Sequence, residues 1–120
     1  MIIIVHVNIL KKTIESRIYG YEVLGHADYD DYGYDIVCAS ISTLIFTAIN
    51  SLESVAKYKE NELNIKMAEN GYMFFSLPVD DNNTRLNIAN IILETTFIGL
   101  NSLEEEYGQY INIKMVTNNI

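Results

Sequence analysis

The sequence predicts an α+β fold, a sheet with two helices packed on it in the order β-β-α-β-β-α-β, with residues 1–120 forming a single domain. Three observations lead there. Short β-branched or alternating runs come in pairs with turn residues between them. Two longer segments switch to apolar residues spaced three and four apart, the period of a helix. Strand runs alternating with helices in a chain of 120 residues favour an α+β domain, and a domain of that size buries about two-thirds of the surface its unfolded form exposes.

Each element has its own warrant. MIIIVHVNIL (1–10) and ESRIYGYEVL (15–24) read as strands, and Lys11-Lys12-Thr13 between them makes the pair a hairpin. His6 lies within the first strand and reads as a structural or edge residue. Residues 25–34 are a loop by composition. From Asp35, a good N-cap residue, a helix runs to Tyr58 with Ile41, Leu44, Ile45, Ala48, Leu52, Val55 and Ala56 on one face. Asn64–Ala68 and Tyr72–Leu77 form a second hairpin around Glu69-Asn70-Gly71, ended by Pro78. DDNNTRLNIANIILETTFIGLNSLEEEY (80–107) reads as a second helix, apolar on more than one side: Leu86, Ala89, Leu93, Phe97 and Leu100 in one row, Ile88, Ile91, Ile92, Thr95 and Leu103 in another. A helix apolar all round is buried, and in so small a domain a second copy of the chain is the expected cover. Residues 110–117 close the sheet.

Composition narrows the function classes. Hydrophobic residues make up 49% and mean hydropathy is +0.09, which argues against disorder. One cysteine excludes an internal disulfide, and a lone thiol fits a reducing cytoplasm. The N-terminus lacks the charged start and small-residue cleavage site of a signal peptide. Its apolar run is too short to span a bilayer and no other segment reads as long enough, so no membrane is expected and a cytoplasmic setting is. A net charge of −8 disfavours direct contact with nucleic acid and suits a basic protein partner.

Chemistry concentrates in GHADYDDYGYDIVC, residues 25–38. Cys38 falls three residues after the expected cap, where helix N–H groups favour a thiolate. Eleven residues separate it from His26, slack enough for a loop to bring an imidazole, the usual general base near neutral pH, to the sulfur. Against this stands packing: Cys is among the most buried residue types, and Cys38 shares a helical face with Ile41, Ile45 and Leu52. On composition and spacing alone, both readings stand. Asp35 either caps the helix or orients His26. Gly25 and Gly33 bracket the loop as candidate lid hinges, and Tyr29, Tyr32 and Tyr34 are candidate contacts to an apolar peptide. No metal is expected. One Cys and two distant His are too few for zinc. Counted from Asp28 as a calcium loop, the third ligand position is Tyr32 and the twelfth is Ala39. Neither a Walker loop nor a Gly-x-Ser-x-Gly elbow occurs, and no cofactor is expected.

Gly25-His26-Ala27, Gly33, Asp35-Ile36-Val37-Cys38-Ala39 and Ser42 together resemble the signature of the ribosomal-processing cysteine proteases, the Prp family. The resemblance implies a cytoplasmic bacterial endopeptidase and a homodimer. It implies removal of the short N-terminal extension of large-subunit ribosomal protein number twenty-seven, by cleavage after an aromatic pair. It maps the family's catalytic His and Cys onto His26 and Cys38, and its Asp onto Asp35. The sequence departs from the pattern at Asp28, where a small residue is usual, and at Ser40-Ile41, where a second alanine is usual. The competing reading is a non-catalytic dimeric module that binds ribosomal protein, with Cys38 as packing.

Overall fold

The computed structural model describes residues 4–25 and 32–117, the side chain of Tyr32 excepted. The chain runs β1 (Val5–Lys11), β2 (Ile18–Leu24), α1 (Tyr32–Ser54), a 3-10 turn at Glu60–Glu62, β3 (Lys66–Met67), β4 (Met73–Ser76), α2 (Asn83–Tyr107) and β5 (Ile111–Thr117). The predicted order and class hold. The sheet is mixed, in the order β3-β4-β2-β1-β5, and only β1 and β5 pair in parallel.

Topology places both helices on one face. α1 carries the chain from β2 toward β3 at one edge, and α2 carries it from β4 back to β5 at the other. The two crossovers run in opposite directions from oppositely directed strands, so one handedness puts both helices on the same side. That side is the core. Register aligns Val7 with Val23, Ile9 with Tyr21 and Phe75 with Tyr21, and these side chains meet Ile41, Ile45 and Leu52 of α1 and Ala89, Leu93 and Leu100 of α2. Tyr21 donates its buried hydroxyl to the Leu93 carbonyl at 2.7 Å, and burial pushes its phenol pKa up. On the opposite sheet face Glu22 accepts from Asn8 (2.9 Å) and from Tyr72 (2.6 Å). That bond, more than burial, pushes the Tyr72 phenol up to about 12.

Boundaries moved for physical reasons. β2 starts at Ile18, because Thr13 to Ser16 form a turn held by Ser16 N–H on the Thr13 carbonyl (3.1 Å). The β3–β4 turn is as read: Gly71 takes φ +86°, and Ala68 N–H reaches the Tyr72 carbonyl at 3.1 Å. α1 begins at Tyr32, so Asp35 is not its N-cap but an exposed residue of its first turn. Tertiary packing overrides the cap signal there, since Tyr34 is buried at 1% exposure and draws the preceding residues into the helix. The helix ends at Ser54, before the expected Tyr58; Lys57 turns the chain at φ +69° and Tyr58 N–H returns to the Leu52 carbonyl. Val55 is therefore exposed, off the face it was expected to share.

By length and composition α1 would cross a membrane, contrary to the expectation that no segment is long enough. In this fold it is a core helix, with Val37, Ile41, Ile45, Ala48 and Leu52 at 0–1% exposure. α2 is apolar all round in sequence but is buried along one flank only. Ala89, Leu93, Thr96 and Leu100 face inward, while Ile91 and Ile98 are 66% and 65% exposed.

One charged cluster fastens the start of α2. Arg85 binds Glu62 through both terminal nitrogens (3.0 and 3.1 Å), binds Asp80 through Nε, and lies 4.1 Å from the Tyr58 ring centroid. The Arg85 hydrogen bond holds the Glu62 carboxyl below its ordinary value. The Asn82 backbone N–H, then Arg85, does so for Asp80. Carboxyls lowered by folding stabilise the native state above their unfolded values and lose that contribution as pH falls through their folded ones. Solvent still reaches these half-buried groups and screens them, so the effect is modest. We expect Arg85→Met to lower the melting temperature at neutral pH and to flatten its decline below about pH 5. Melting curves across that range check this.

Candidate active site

Cys38 sits almost two turns into α1, on the face that carries Ile41, Ile45 and Leu52, and is 9% exposed. This corrects its expected place in the first turn. The field of a helix terminus falls off within one turn, and only the first four N–H groups lack intrahelical acceptors. The Cys38 N–H therefore falls within the helix ladder and not among the free donors of a helix start.

The loop that carries the signature is anchored at both ends. At its start, Gly25 follows β2 with φ +81°, and a Cβ there would lie 2.9 Å from the Ile4 carbonyl oxygen. Only glycine takes this conformation cheaply. At its far end Gly33 is the second residue of α1, so it is a helix residue and not the loop hinge expected. Its lack of a side chain has another use: a Cβ would lie 2.6 Å from Tyr110 Cε2. Tyr110 is in turn fixed by Val5, whose N–H donates to its carbonyl at 2.8 Å.

Tyr34 joins the two ends. Its hydroxyl donates to the Gly25 carbonyl, and its ring is buried in the core. The expected peptide-contact role is thus corrected, because the ring faces the protein interior. Residue type alone does not distinguish Tyr34 from Tyr29 and Tyr32. The spacing of Tyr34 and Cys38, one helical turn apart, was the available signal. His26, Tyr29 and the Tyr32 side chain lie outside the described residues.

Cavities flank this region without centring on it. A groove of about 480 Å³ between the helices is lined by Ala39, Ser40, Thr43, Leu44, Gly99 and Leu103, beginning at the residue after Cys38. A larger cavity, about 680 Å³, lies at the opposite end of β1, among Lys12, Arg17, Tyr19, Leu77 and Leu86. Among the described residues no three His, Cys, Asp or Glu side chains gather as a metal would require.

Known proteins share this fold. The family described as cysteine protease Prp matches residues 4–112. The ribosomal processing cysteine protease Prp of Staphylococcus aureus is 36% identical over 89 residues, covering 74% of this chain and 78% of that protein. A crystal structure of the S. aureus protease with a substrate peptide superposes with TM-score 0.78 at 28% identity, covering 94% of this chain and all of that one. Another, with a covalently linked product peptide, gives TM-score 0.74 at 30% identity and the same coverage. The packing-only reading of a non-catalytic module gives way: the chain belongs to the Prp family of ribosomal processing cysteine proteases.

Proposed function

We propose that this protease removes the short N-terminal extension of bacterial large-subunit ribosomal protein number twenty-seven, in the cytoplasm, with a Cys38 thiolate as nucleophile and His26 as general base. One observation carries the reading. Gly25, the chain neighbour of His26, is hydrogen-bonded by Tyr34, one turn before Cys38 on α1. The residue beside the base and the helix that bears the nucleophile are therefore one unit. The S. aureus structures with substrate and covalently linked product peptides support it by likeness.

His26 takes the Cys38 proton and the thiolate attacks the carbonyl carbon of the second residue of the aromatic pair. The tetrahedral intermediate collapses to a thioester as His26 gives its proton to the leaving amine, and water, deprotonated by His26, releases the new carboxylate. Because Cys38 lies beyond the reach of the helix terminus, His26 carries most of the activation. Asp35, with capping excluded, retains the role of orienting His26. The net charge of −8 favours encounter with a basic ribosomal protein.

Mass spectrometry of a peptide bearing the aromatic-pair extension tests this. A single cut after the pair by wild type, absent with Cys38→Ala, supports the reading. No cut of either this peptide or the full ribosomal precursor by folded wild type overturns it.

The chain is also proposed to act as a homodimer. Support comes from the exposed Ile91 and Ile98, one stripe on the outward flank of α2. Sedimentation at micromolar concentration is expected to show a dimer; monomer alone would overturn the proposal.

A further inference from the structure

We propose that Tyr34 is a positioning residue for catalysis, setting the alignment of His26 with Cys38 through its hydroxyl. The inference rests on the dyad assigned above. The proposed effect is exerted through the Gly25 carbonyl that the hydroxyl binds.

The geometry is specific. The Tyr34 hydroxyl donates to the Gly25 carbonyl. That carbonyl belongs to the peptide unit joining Gly25 to His26, and a peptide unit is planar. A hydrogen bond to its oxygen therefore fixes the plane from which the chain departs toward the base. The donor comes from α1, and residues four apart lie on one face of a helix, so Tyr34 projects from the same side as Cys38. Its ring is 1% exposed, which removes the freedom that a surface tyrosine would have. The acceptor is held too: Gly25 sits at φ +81°, against the Ile4 carbonyl. A rigid donor on the nucleophile's helix and a constrained acceptor beside the base make one fixed link across a loop of several residues.

This link matters because general-base catalysis needs the base within hydrogen-bond reach of the thiol. A displacement of about 1 Å can cost roughly 100-fold in rate. Loss of the hydroxyl should thus lower reactivity while leaving the buried ring, and the core around it, in place.

The experiment compares wild type, Tyr34→Phe and Ile9→Val, the last a buried strand residue remote from the loop that serves as a stability control. Peptide cleavage, the pH profile of Cys38 alkylation by iodoacetamide, and melting temperature are measured for each. Tyr34→Phe is expected to lower kcat by about 10-fold or more with KM nearly unchanged. It is also expected to slow alkylation most at pH 6–7, where a base-assisted thiolate contributes most. Ile9→Val should lose stability but keep the wild-type kcat and alkylation profile. If Tyr34→Phe keeps both, or if the two variants lose rate in parallel with melting temperature, the positioning role is overturned while the dyad stands. A wild type that neither cuts the peptide nor alkylates faster than a packed thiol overturns the dyad, and the positioning role with it.

Discussion

Cys38→Ala is expected to fold and to lose at least about 10⁴-fold in cleavage rate, the scale on which enzymes lose activity when a covalent nucleophile is removed. Stability should change little, roughly 1 kcal/mol, because the substitution deletes one sulfur from the rim of the core while Ile41 and Ile45 keep the same face filled. The two readouts separate cleanly. Circular dichroism melting reports the fold, and timed mass spectrometry of the cleaved peptide reports the chemistry. Since the chain holds one cysteine, no other thiol can substitute. A variant that keeps more than a hundredth of wild-type rate would place the nucleophile elsewhere and remove thiol catalysis altogether.

Gly20→Ala is expected to have the largest effect on stability. Gly20 is mid-strand in β2, opposite Leu10 on one side and Ser76 on the other. A Cβ there would stand 2.2 Å from the Phe75 carbonyl oxygen and 2.9 Å from Ser76 Cα. Both are backbone atoms of β4, so no rotamer relieves the clash. The strands must part, and β4 carries Met73 and Phe75 in the core and holds β3 at the sheet edge. Overpacking in a well-filled interior costs about 1–3 kcal/mol when side chains can yield; a backbone collision should exceed the upper end of that range. A total stability of about 5–15 kcal/mol leaves little reserve. At roughly 4 °C per kcal/mol the melting point should fall by about 12 °C or more. A shift within about 2 °C would show that β2 and β4 separate freely at this point.

Periodicity revealed most of the architecture. Ile41, Ile45, Ala48 and Leu52 repeat at helical spacing and are the residues α1 buries. Hairpin turns with glycine and asparagine marked the second strand pair. Periodicity is silent on where a helix starts when two signals conflict. Asp35 has the chemistry of a cap, and Gly33 is a poor helix former, yet burial of Tyr34 carries the helix back to Tyr32. It is equally silent on depth: the all-round apolar pattern of α2 could not show that Ile91 and Ile98 face outward. At the site, the spacing of His26 and Cys38 within a glycine-bracketed segment left catalysis and packing both open, and it was the resemblance to a known family that favoured catalysis. The tie from Tyr34 to Gly25 was not legible, because it depends on which of several neighbouring tyrosines turns inward, and only the three-dimensional packing decides that.

The parallel seating of β5 against β1 has a consequence for biosynthesis. Ribosomes make chains from the N-terminus, so β1, the loop and Cys38 emerge well before residues 111–117. Until then one edge of β1 is an open template for a foreign strand, a hazard for any nascent sheet. Gly33 also lacks the Tyr110 ring behind it, and the Val5 N–H lacks its acceptor. The newborn chain thus holds Cys38 before it holds the residues that pair with β1 and stand against Gly33.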